Sequence, residues 1–150
     1  MEPRIVSQQR LATAEYRQGE KPTNKKTKKG DDFNMKKLQN YFKLGSKVTV
    51  YVPNTMGPTD EIKGDNIYID KTAKALSEYF GGATSTAGMG YWVSNEHGLI
   101  KERSTMVFAY CTTEQLEEHI DDIVTLCEEL KADMQQEAIA LEINGEMYFI

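Results

Sequence analysis

The sequence is poor in the residues that most often betray chemistry: two cysteines, two histidines, one tryptophan and four prolines in 150 residues. Cys111 and Cys127 form no C-x-x-C pair, and two cysteines do not make the disulfide framework of a small secreted domain. Both fall in apolar-periodic segments and read as buried, reduced thiols. No run of about 18 apolar residues occurs, so no membrane-spanning helix is expected. The N-terminus lacks the continuous apolar stretch of a signal peptide, and a cytoplasmic location is the expectation. His97 and His119 belong to different predicted elements, and beside His119 only the carboxylates of Glu118 and Asp122 are near, short of a convergent ligand set. No metal and no cofactor is therefore expected. No serine or cysteine has a recognisable base partner, which leaves nucleophilic catalysis without support.

Glycine is concentrated in one place, Gly81-Gly82-Ala83-Thr84-Ser85-Thr86-Ala87-Gly88-Met89-Gly90. A phosphate-binding loop would need Lys and Ser or Thr after its last glycine, and a dinucleotide fingerprint would need a strand before and a helix after. Here Tyr91 follows, and the predicted order is helix before, strand after. The run reads as a flexible connection.

What the chain has is charge, unevenly spread. Residues 1–47 carry 12 Lys or Arg and 5 Asp or Glu, whereas residues 48–150 carry 6 and 18. The basic part centres on Lys21–Gly30, which has no apolar residue to offset the entropy of ordering, so residues 18–34 are expected to be disordered. Met35-Lys36-Lys37-Leu38 has the look of a translation start, and the chain divides into a basic leader, 1–34, and an α+β domain, 35–150. The lysines would attract nucleic-acid phosphate without sequence preference, but no aromatic residue is interleaved with them to stack on bases.

From Lys47 onward, periodicity sets the elements. Val48, Val50 and Val52 alternate with Thr49 and Tyr51 as a half-buried strand that Pro53 ends. Residues 54–69 read as turns and loop. Asp70 can cap a helix through Ala73, Leu76, Tyr79 and Phe80, stopped by Gly81-Gly82. A strand holds Tyr91, Trp92 and Val93, and residues 94–98 turn the chain into a longer strand, Leu99 to Tyr110. Thr112 and Gln115 have capping-box spacing. Leu116, Ile120, Ile123, Cys127, Leu130 and Met134 then make one helical stripe, the strongest periodic signal in the chain. Ala138–Ile143 and Met147–Ile150 flank Asn144-Gly145, a favoured two-residue hairpin turn. The succession βαββαβ with one extra terminal strand predicts a ferredoxin-like split βαβ domain: an antiparallel sheet with both helices on one face.

Tyr91 and Trp92 are adjacent on a strand and so point to opposite faces, one to the core and one to the helix-free face or its rim. Lys101-Glu102-Arg103 alternates sign, as suits a polar rim. The acidic helix face carries Glu118, Asp121, Asp122, Glu129 and Asp133. If those carboxylates form a row they resemble a row of phosphates and would fit a basic nucleic-acid groove. Trp92, Glu102, Glu118, Asp121, Asp122 and Glu129 are accordingly the candidate partner-binding residues. The apolar ending Met147–Ile150 either tucks its strand into a sheet or offers an edge to a second subunit, and the latter makes a homodimer a further expectation.

Four stretches carry a resemblance: Tyr41–Pro53, Phe80–Thr86, Gly90–Ser94 and Gln136–Asn144. Together they resemble small uncharacterised accessory proteins of plasmids and conjugative elements in gut Firmicutes, over about residue 35 to the end. The resemblance implies no catalytic residues. It implies a context of anti-defence proteins, anti-CRISPR and anti-restriction proteins among them. The sequence therefore reads as a non-enzymatic inhibitor of a host defence nuclease, binding that protein's basic groove through an acidic surface. A ligand-sensing regulatory domain and a nucleic-acid binder acting through the basic leader are the alternatives.

Overall fold

A computed structural model describes residues 35–150; the basic leader, 1–34, lies outside the described residues. A 3-10 turn at Met35–Asn40 leads into strand β1, Ser46–Pro53. Two short strands follow, β2 at Thr55–Met56 and β3 at Asp60–Glu61, then helix α1, Ile67–Phe80. Strands β4, Thr84–Ser94, and β5, Gly98–Cys111, form a long hairpin. Helix α2, Thr113–Asp133, is followed by β6, Ala140–Ile143, and β7, Glu146–Phe149. The five long strands make one sheet in the order β4-β5-β1-β6-β7, every neighbour antiparallel, while β2 and β3 pair separately. The protein is thus α+β, an antiparallel five-stranded sheet with two helices. Among the described residues no helix is long and apolar enough to cross a membrane.

The core lies between the helices and one face of the sheet. Val48, Val50 and Val52 of β1, Val107 and Ala109 of β5 and Leu141 of β6 are buried there against Leu76 and Phe80 of α1 and Ile123, Leu126, Cys127 and Leu130 of α2. The alternation in β1 therefore buries its valines, and the stripe of α2 is buried from Ile123 to Met134 with Leu116 and Ile120 half-buried; both cysteines are buried and unpaired. Burial also pushes the Cys127 thiol up to about 12, with the nearby Glu128 charge adding to it, and raises Cys111. The α2 capping box forms, Thr112 accepting from the Gln115 amide and Gln115 accepting in turn from the Thr112 amide. Asn144 and Gly145 both take positive φ, 52° and 84°, the two-residue turn their types favour.

Local expectations needed four corrections. Helix α1 begins at Ile67, capped by Asn66, whose side chain accepts from the Tyr68 amide at 3.1 Å while its amide donates to the Pro53 carbonyl; Asp70 sits inside the first turn. The glycine run is not a flexible connection: from Thr84 onward it is strand, paired residue for residue with β5, because cross-strand hydrogen bonding needs no side chain. Residues 54–61 are a small hairpin rather than bare loop. Neither Tyr91 nor Trp92 joins the core: the β4–β5 hairpin extends past the helices, so Tyr91, on the helix side, remains 55% exposed beside Val93 and Leu99.

Candidate functional site

Residues paired across antiparallel strands share a face, so the register gives the sheet's helix-free side directly. One row runs Phe149, Ala140, Tyr51, Met106, Thr86; the next runs Met147, Glu142, Thr49, Phe108, Thr84. Beyond Tyr51, Pro53 stands opposite Ser104, Ser104 in turn opposite Gly88, and Glu102 opposite Gly90. Over this floor lies a cleft of about 830 Å³, within the size range of small-molecule sites. Tyr51, Met106, Gly88 and Gly90 form its base, Met147 and Phe149 one end, and the 54–61 hairpin together with residues 135–138 its wall. A second, smaller cleft of about 290 Å³ lies between the helices, beside Lys71, Tyr79 and Glu129.

The chemistry of the large cleft centres on Tyr51. Its phenol donates to Glu142 Oε1 at 2.8 Å. Burial, then the hydrogen bond to and the charge of Glu142, push the phenol up to about 12. Tyr51 is therefore a neutral donor at ordinary pH and Glu142 an oriented carboxylate. The carboxylates that line the cleft itself are Glu61, Glu102 and Glu137, against Lys101 and Arg103 at its β5 end. A cavity that combines aromatic and thioether surface with an excess of carboxylates suits a ligand with an apolar body and a positive charge. At the far side of the same face Lys47 Nζ lies 4.4 Å from the Phe108 ring centre and 5.5 Å from that of Tyr110. Among the described residues no group of three metal-ligating side chains converges.

The wall is held by Gln136. Its side-chain amide nitrogen donates to the carbonyls of Thr55 at 2.9 Å, Gly57 at 3.0 Å and Met134 at 3.2 Å. The Gly57 amide donates to the Met134 carbonyl at 2.7 Å. This cross-tie joins the 54–61 hairpin to the end of α2.

Of the residues the sequence marked for partner binding, Glu102 lines the cleft and Trp92 lies on the same face of β4, opposite Ile100. Glu118, Asp121, Asp122 and Glu129 lie on α2, behind the sheet. Two of these are engaged: Asp122 Oδ2 meets His119 Nδ1 at 2.9 Å, and Glu129 meets Lys71 Nζ at 2.9 Å. The His119 ring stacks on Tyr79 with centroids 4.8 Å apart. The acidic residues are thus split between the cleft and the helix surface. Tyr51, Glu61, Gln136, Glu137 and Glu142 escaped the sequence reading. A parity count would have found two of them, since Tyr51 alternates with the buried valines and Glu142 with Leu141.

No protein-family model and no curated protein matches the chain. Solved structures do. A phage SAM lyase in complex with S-methyl-5′-thioadenosine matches with a TM-score of 0.50 and 20% identity, over 73% of this chain and 91% of that one. A phage SAM lyase in the apo state matches with a TM-score of 0.50 and 22% identity, over 73% and 94%. At this identity the likeness is one of fold. It nevertheless overturns the expectation of a non-enzymatic inhibitor of a defence nuclease, since the solved structures that share this fold are those of an enzyme.

Proposed function

We propose that the chain is an enzyme that cleaves S-adenosylmethionine in the open-face cleft, releasing S-methyl-5′-thioadenosine. The observation that carries this reading is the Tyr51–Glu142 pair at the floor of a cleft lined by Glu61, Glu102 and Glu137, Tyr51 facing the cleft and Glu142 holding it from the neighbouring strand, on a fold similar to that of a phage SAM lyase with that thioether bound. The substrate is a sulfonium cation with a planar nucleoside, matching the charge and surface of the cleft. In the reaction the bond from sulfur to the amino-acid side chain breaks, and sulfur keeps the electron pair and becomes neutral. The carbon fragment balances in one of two ways. Its own carboxylate oxygen closes on the departing carbon, with no proton moved, or an adjacent C–H proton passes to a base and a double bond forms. In the first route, the cleft carboxylates hold the cation in place while the bond to sulfur breaks. In the second, Glu142 would take the proton.

Removal of the methyl donor would give a mobile element an anti-defence effect by turnover, in keeping with the context that the sequence resemblance implies. We also read the strand order, with β7 as an added edge, as a ferredoxin-like split βαβ. The functional test is direct: purified chain incubated with S-adenosylmethionine should form S-methyl-5′-thioadenosine, quantified by liquid chromatography, and the second product identifies the route. Absence of the thioether at enzyme concentrations comparable to substrate would overturn the proposal.

A further inference from the structure

We propose that Gln136 is a positioning residue, the latch that holds the 54–61 hairpin as the wall of the cleft and so sets its affinity for substrate. This inference rests on the reading of the cleft as a site for S-adenosylmethionine.

The hairpin has little of its own to hold it. Strands β2 and β3 are two residues each, and an isolated hairpin of that size is not stable in water. Its tip, Pro58–Asp60, is exposed. Met56 and the neighbouring Ile62 pack partly against the core, and the Ile62 amide donates to the Asn54 carbonyl at 2.9 Å. The hairpin's polar ties to the end of α2 are the Gly57 amide, which donates to the Met134 carbonyl at 2.7 Å, and the side chain of Gln136. Its Nε2 stands among three carbonyls, two from the hairpin and one from the end of α2. The Thr55 hydroxyl closes the ring by donating to the Gly57 carbonyl at 3.0 Å. Turned the other way, the Gln136 amide would set its oxygen against three carbonyl oxygens, so the network admits one orientation. Gln135, immediately before it, takes a positive φ of 54°, a conformation disfavoured for a side chain that size.

The hairpin carries Glu61, and Gln136 itself lines the cleft. Each ångström by which the hairpin moves out therefore widens the space above Tyr51 and withdraws a carboxylate. Gln136→Glu is the sharpest probe, since it keeps the shape and replaces the donor with an anion facing three carbonyls. Gln136→Met keeps the bulk and only deletes the donor. The latch predicts that amide hydrogen exchange in 54–61 accelerates in both variants, more in Gln136→Glu, while β1 and β5 keep their protection. It predicts KM for S-adenosylmethionine, and Kd for S-methyl-5′-thioadenosine, raised about tenfold or more in Gln136→Glu with kcat within about threefold. Unchanged exchange in the hairpin would overturn the latch. Faster exchange with unchanged Kd would overturn its link to the cleft. A wild-type chain that binds neither nucleoside would instead remove the function on which that link rests, with the exchange result still deciding whether Gln136 holds the hairpin.

Discussion

The two faces of the sheet are made from the same strands and serve opposite ends. On one, Val48, Val50 and Val52 are fully buried beneath the helices. On the other, Tyr51 from the same strand faces a groove, with Glu142 and Met106 beside it. One face is closed by apolar packing, which is indifferent to chemistry but intolerant of lost volume. The other is organised by polar contacts, which cost stability to bury and give direction to a ligand. A strand with period two can do both because each residue step changes face.

If this division holds, truncation on the helix side should act on stability and polar change on the open side on activity. The largest stability effect is expected from Leu130→Ala, a fully buried side chain, at about 2–5 kcal/mol in denaturant unfolding. The folded fraction should retain its turnover. Glu142→Gln keeps the shape and removes the charge beside Tyr51. Thioether formation should fall at least about tenfold, a barrier increase of about 1.4 kcal/mol, with little change in the unfolding midpoint. Comparable losses of stability from the two variants would abolish the distinction between the faces.

A subtler test uses alkaline pH, because each side of the sheet raises an acid chiefly by burial, with a different carboxylate adding to it. Tyr51 is pushed up from 10.0 to about 12 by burial and by Glu142; Cys127 is pushed up from 9.0 to about 12 by burial first and the charge of Glu128 second. In each case the folded state holds its proton after the unfolded chain has lost it. Their contribution to stability is thus fully present below pH 9–10 and is lost as pH rises towards 12. Tyr51→Phe should flatten the tyrosine part of that loss. Glu142→Gln should bring the Tyr51 titration, followed by ultraviolet absorbance, down from about 12 while leaving it above 10, since burial remains. The smallest effect belongs to neither face. Lys71 bridges α1 to Glu129 and Asp133 of α2 at 2.9 and 3.5 Å on the exposed surface, and Lys71→Met should cost no more than about 1 kcal/mol, less at high salt.

The elements that stood out in the sequence are those that carry their own period or cap. The α2 stripe, its Thr112–Gln115 box, the alternating valines of β1 and the Asn144-Gly145 turn all express local geometry. The strand from Thr84 to Gly90 was missed because glycine and alanine give no alternation, and its strand character comes entirely from pairing with β5. The cleft was missed for a related reason. Tyr51, Met106 and Ala140 are far apart in the chain and meet only through the register of three strands.

The amino-acid sequence by itself determined the inward valines of β1, the buried stripe of α2 from Ile123 to Met134 and where the two helices end, because each depends on neighbours within a few residues. Only the tertiary structure decided that Tyr51 donates to a carboxylate 91 positions away and that Gln136 clasps a hairpin some 80 positions earlier. Contacts of that separation are set by which strands lie side by side, and strand order leaves no periodic trace in a sequence.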